Sequence, residues 1–137
     1  MLREVVIKAL QSEFGDRVKI NPGSKEFAVF EAKDPAVGDA ILEEDGDEVT
    51  IFVGDITHGH FGSYESSLSL KQDHEEIVAQ SVVSFLIDLF ADKYFLKQSR
   101  WYGSWIRCDK VKETDMLSPK VRWFKWSGPI HLTDEEK

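Results

Sequence analysis

Ala36-Val37-Gly38-Asp39-Ala40-Ile41-Leu42-Glu43-Glu44-Asp45-Gly46-Asp47-Glu48-Val49-Thr50-Ile51-Phe52-Val53 reads as two β-strands folded about a tight turn, and this stretch decides the fold class. Ala36 to Glu43 and Glu48 to Val53 flank Glu44-Asp45-Gly46-Asp47. Asp45-Gly46 is the strongest hairpin signal in the chain, because a type I′ turn needs positive φ at both central positions and this pair adopts it at little cost. A two-residue hairpin joins antiparallel strands, whereas parallel neighbours need a crossover of a dozen or more residues.

Upstream, Leu2, Val6, Ala9, Leu10 and Phe14 recur at helical spacing, and Gly15 stands where that amphipathic helix would stop. The period then changes to two. Val18 and Ile20 alternate with charge, Asn21-Pro22-Gly23 marks a turn, and Glu26 to Ala32 reads as a strand. Downstream, a further strand is expected within Ile56 to Tyr64, and Asp73 with Glu76 forms an acid-headed capping box for a helix running to about Tyr94. Apolar residues ring that helix except along Ser81, Ser84 and Asp88, which predicts burial on most sides. Phe95 to Leu96, Trp101 to Cys108 and Lys120 to Trp126 read as strands, with a charged loop ending in Ser118-Pro119 before the last. The expected order is α-β4-α-β2/3: an α+β fold in one domain over residues 1–137, its antiparallel sheet of about six strands carrying an N-terminal and a long central helix. Residues 133–137 are expected to be a disordered acidic tail.

The chain has 137 residues, 42% of them hydrophobic, enough for a core without disulfides or metal. With Cys108 as the one cysteine there is no intrachain disulfide, and no apolar run approaches the roughly 20 residues that span a bilayer. Met1 to Leu10 interleaves acids and bases and lacks the apolar run of a signal peptide, so a cytoplasmic protein is expected. Charge is divided unevenly: residues 1–92 hold 7 Lys/Arg against 19 Asp/Glu, and residues 93–126 hold 9 against 3. The formal net charge of −8 disfavours general binding to phosphate backbones, although the basic segment leaves a local single-strand nucleic-acid site as an alternative.

Asp55-Ile56-Thr57-His58-Gly59-His60 holds the residues with most chemical content. On a strand, His58 and His60 point to one face and are candidate ligands of a divalent metal, with Asp55 or Glu65 completing the set. Two histidines alone leave such a site two ligands short, and hydrogen bonding to neighbouring backbone is the simpler role. Ser63, Ser66, Ser67 and Ser69 lie nearby without the Gly-x-Ser-x-Gly turn of a hydrolase. Glycine-rich phosphate loops are absent, so no cofactor is implied. The acids around the 45–46 turn do not follow calcium-loop spacing, and Cys108 reads as a small apolar strand residue whose thiol pKa Asp109 would raise.

All four tryptophans fall between Trp101 and Trp126, within the basic segment. With 101–108 and 120–126 as adjacent strands, about half of these aromatics belong to the core, and the rest present Trp beside Arg and Lys on an exposed face. Trp101, Trp105, Arg107, Arg122, Trp123 and Trp126 are therefore the candidate binding residues, of types enriched at interface hot spots. Size, charge and layout are similar to those of small acidic bacterial domains that act by binding another protein, such as immunity proteins and secretion chaperones. The resulting expectation is a non-enzymatic protein-binding module whose partner is acidic where it docks, with a metal-dependent enzyme or metal-binding protein centred on His58 and His60 as the alternative.

Overall fold

Leu2, Val6, Leu10 and Phe14, four residues apart, form the buried stripe of the first helix, α1 (Leu2–Phe14), in the computed structural model, which describes residues 2–46, 48–62, 71–112, 116 and 120–130. Gly15 ends the helix at φ 55°, and a short 3-10 turn (Gly15–Arg17) leads into the first of the nine strands found among the described residues. Five of them, β1 (Val18–Ile20), β2 (Glu26–Phe30), β3 (Ala40–Asp45), β4 (Glu48–Val53) and β5 (Thr57–Phe61), form an antiparallel meander in sequence order. The second helix, α2 (Lys71–Phe90), follows. A second antiparallel sheet holds β6 (Tyr94–Gln98), β7 (Gly103–Arg107), β8 (Arg122–Lys125) and β9 (Gly128–Pro129) in the order β7-β6-β8-β9. The α+β class and the two helices stand as the sequence predicts; among the described residues the strands are nine in two sheets rather than about six in one.

Local chemistry explains the boundaries that moved. The strand expected from Ala36 begins at Ala40, because Asp34 first ties the chain into a turn. Its carboxylate accepts from the Ala36 N–H at 2.8 Å and its carbonyl from Val37 N–H at 3.0 Å. At the β3–β4 hairpin Asp45 pairs with Glu48, so Gly46, at φ 64°, occupies the first loop position and the turn lies one residue later than Asp45-Gly46. Helix α2 begins at Lys71, which places Asp73 inside the helix instead of at its cap. It stops at Phe90 rather than near Tyr94. Asp92 enters the left-handed region at φ 60°, and its N–H bonds to Leu89 O while that of Lys93 reaches back to Asp88 O. This is a Schellman stop built on aspartate, whose short polar side chain tolerates that conformation better than most. The Asp92 carboxylate also accepts from the Ser127 N–H at 3.0 Å, tying the helix end to the β8–β9 turn.

Helix α2 packs against both sheets, and its aromatic residues join them. Phe85 meets Phe61 of β5 at 5.5 Å, Tyr94 of β6 at 5.0 Å and Trp105 of β7 at 4.2 Å between ring centroids. At the other end Phe90 meets Phe14 at 5.6 Å, Phe30 at 5.0 Å and Trp126 at 4.9 Å, so both helices and both sheets share one contiguous core. The facing edges β5 and β7 approach closely. Trp105 lies over Gly59, where any side chain would strike the indole, and a Cβ on Gly103 would fall on the Ile56 carbonyl oxygen. Ser63, Glu65, Ser66, Ser67, Ser69, the Ser118-Pro119 corner and the acidic tail 133–137 lie outside the described residues.

Candidate functional site

The residues that turn β6 into β7 make the most exposed aromatic element among the described residues. Gln98 pairs with Gly103 at the base, and Ser99-Arg100-Trp101-Tyr102 forms the tip. Ser99 holds the tip closed: its N–H donates to Tyr102 O at 2.8 Å, its hydroxyl donates to the same oxygen, and the Tyr102 N–H returns a bond to the Ser99 Oγ at 3.2 Å. The turn is thus fixed by its own backbone, while Trp101 remains 75% and Tyr102 79% exposed. Arg100 places its guanidinium 5.0 Å from the Trp101 ring centroid, a cation–π contact that leaves the N–H donors of the guanidinium edge open.

The six candidate residues from the sequence part company in the fold. Trp101 stands on the tip, and Arg122 is exposed beside its base, since Gln98 also pairs with Arg122 of β8. Trp105 and Trp126 belong to the core. Trp123, also buried, lies on the opposite face of the second sheet with Lys97 and Phe95, and its indole N–H has no acceptor among the described residues. Arg107 spans to α2, where it bonds Asp88 at 3.0 Å; that carboxylate and Tyr94 hold the guanidinium protonated beyond its ordinary value. The strands 101–108 and 120–126 are not neighbours, because β6 lies between them. Phe95 to Leu96, read as a strand from the sequence, lies within the five-residue central strand Tyr94–Gln98.

The histidine pair keeps the facing read from sequence, with His58 and His60 rings 5.4 Å apart on the outer face of β5. Gly59 faces inward between them. Nδ1 of His60 shares a hydrogen bond with the Thr50 hydroxyl at 2.9 Å and lies 3.7 Å from Glu48. Asp55 sits in the preceding turn, and no group of three or more His, Cys, Asp or Glu arranged to hold a metal occurs among the described residues. Cys108 does not continue β7; it opens a 3-10 turn and its thiol lies 3.5 Å from Asp92 O. Burial is the main force pushing this thiol up, with Asp92 and Asp109 adding to it and Lys125 and Arg107 opposing.

A strand read from Trp101 to Cys108 takes Trp101 and Tyr102 into the strand and leaves Gln98 and Arg100 in a connection, so Arg100, Tyr102 and Gln98 are not among the sequence candidates. The signal was present: a β-rich run ending at Gln98, a serine opening a four-residue loop, and Gly103 closing it. Comparison with known proteins finds no matching family model, no matching curated protein and no matching solved structure. No helix among the described residues is long and apolar enough to cross a membrane.

Proposed function

We propose that this chain is a non-enzymatic protein-binding module whose docking element is the aromatic tip of the β6–β7 hairpin. The observation that carries this reading is the exposure of Trp101 and Tyr102 on a turn locked by Ser99. Large apolar rings left in water are an unfavourable use of surface unless a partner covers them. A turn already held in one conformation loses little entropy when it is covered, so most of the burial energy remains available for affinity. Trp, Tyr and Arg are also the side chains that dominate interface hot spots, and here all three are consecutive. Three of the other chemistry-bearing groups are engaged within the fold: His60 with Thr50, Cys108 with the end of α2, Arg107 with Asp88.

A photo-crosslinking residue placed at Tyr102 tests this in lysate of the native host, with the same residue at exposed Glu13 on α1 as the control. A docking tip predicts one predominant protein adduct from position 102 and none in common with position 13. Identical adduct patterns from both positions would reject the tip as the docking element.

A further inference from the structure

Beside the tip, Pro35, Val37, Gly54, Asp55, Gln98 and Arg122 line a cleft of about 290 Å³ between the β2–β3 connection and the end of the second sheet. Gln98 borders both features, since it closes the hairpin against Gly103 and pairs across β6–β8 with Arg122. The cleft therefore opens one residue from the tip. Arg122 lies with its guanidinium carbon 5.2 Å from the ring centroid of buried Phe124, which supports the planar group from one side. Among the described residues it has no carboxylate partner, unlike Arg3, bound to Glu44 at 3.0 Å, and Arg107, bound to Asp88 at 3.0 Å. Arg100 on the tip is in the same position, its ring contact with Trp101 aside. Two arginines without a carboxylate partner among the described residues thus flank the exposed Trp-Tyr pair of a chain with 25 Asp/Glu against 17 Lys/Arg.

We infer that the cleft receives a single Asp or Glu side chain of the docked protein, presented on an extended segment whose neighbouring apolar residue covers Trp101 and Tyr102. The inference rests on the reading of the tip as the docking element and names the chemistry it recognises. Arg122 supplies a forked pair of N–H donors for the carboxylate, and the Gln98 amide, which reaches the Asp55 carbonyl at 3.4 Å, lines the same wall. Asp55 limits the charge admitted, because it is also a lining residue of the cleft and its negative charge repels a second acid. A phosphate, with about two negative charges, meets the same repulsion more strongly, and the net charge of −8 repels a nucleic-acid strand.

Titration of the ¹⁵N-labelled full chain with three probes separates these cases: blocked Gly-Phe-Asp-Gly, its Asn counterpart, and a ten-residue thymidine oligonucleotide. The Asp peptide is expected to shift the Gln98 side-chain amide, the Gly54 N–H and the Arg122 Nε–H saturably, and the Asn peptide to bind about tenfold more weakly, as the loss of one charge-assisted pair implies. Arg122→Gln should weaken the Asp peptide by a similar factor with an unchanged melting temperature, Arg122→Lys should recover part of it, and Asp55→Asn should tighten it. Equal binding of the Asp and Asn peptides, an absence of saturable shifts, or shifts of these resonances by the oligonucleotide alone would overturn the inference. A cleft that ignores the Asp peptide in a protein that still crosslinks its partner from position 102 removes the carboxylate assignment and leaves the tip reading standing.

Discussion

Gly103 shows how one missing side chain joins two sheets. Its hydrogen lies where a Cβ would occupy the position of the Ile56 carbonyl oxygen, so the edge of β7 can approach β5 only with glycine there. Backbone carbonyls do not move aside as a flexible side chain does. Gly103→Ala should therefore cost about 1–3 kcal/mol, the usual scale of overpacking, and should move the exposed tip that begins at this residue. Urea unfolding reads the first effect, and an unchanged midpoint would mean that the seam is looser than the structure has it. Cys108 carries a second residue-level prediction, on pH. Burial raises its thiol pKa in the folded chain, so the folded state keeps the proton to higher pH than the unfolded state does. The stabilisation is present below the unfolded-state pKa and is lost as pH rises through the folded value. Alkylation by iodoacetamide should accordingly show a more alkaline midpoint for native protein than for protein in urea. Coincident midpoints would contradict the burial.

Helix α2 carries the prediction at the next scale, because it supplies the contacts that both sheets share. Leu86 is fully buried while its neighbour Ile87 is 41% exposed. Leu86→Ala should cost about 2–5 kcal/mol, whereas Ile87→Ala should fall near the range of surface changes, about 0.5 kcal/mol. Equal losses in thermal unfolding would mean that the helix is rotated from the face described. The elements were legible in the sequence where pattern alone sets them: α1 from its four-residue stripe, α2 from its nearly complete apolar ring, the β3–β4 hairpin from its glycine. They were illegible where a tertiary partner or an unusual local device decides. Asp92 stops α2 in a conformation usually left to glycine and is rewarded by Ser127, thirty-five residues away. Once the helix was extended to Tyr94, too little of β6 remained to be recognised as a central strand. The error propagated to the site. With 101–108 beside 120–126, Trp105, Trp123 and Trp126 are all candidates for an exposed face, while the fold buries Trp123 and Trp126, half-buries Trp105 and leaves Trp101 and Arg122 exposed.

For the molecule as a whole, the division of charge along the chain acquires a location. The acidic first 92 residues form α1, the five-stranded sheet and α2, and the basic segment forms the second sheet, with Arg100 and Arg122 at its tip end. Within the basic segment Arg107 and Lys93 are both turned to Asp88 of α2. What the fold presents is therefore smaller than the +6 of residues 93–126 suggests, a compact aromatic and cationic corner on an acidic body. Such a corner favours association with an acidic protein surface and makes the association rate sensitive to salt. The most direct test of the docking tip is the double change Trp101→Ser and Tyr102→Ser, assayed side by side with the unaltered chain for stoichiometric protein capture and for melting temperature. Both side chains lie in water and contribute little to the core, so a docking tip predicts that capture is lost while the melting temperature stays within about 2 °C, the shift expected for a surface change in a chain of this size. Undiminished capture of the same partner by the folded double variant would contradict it.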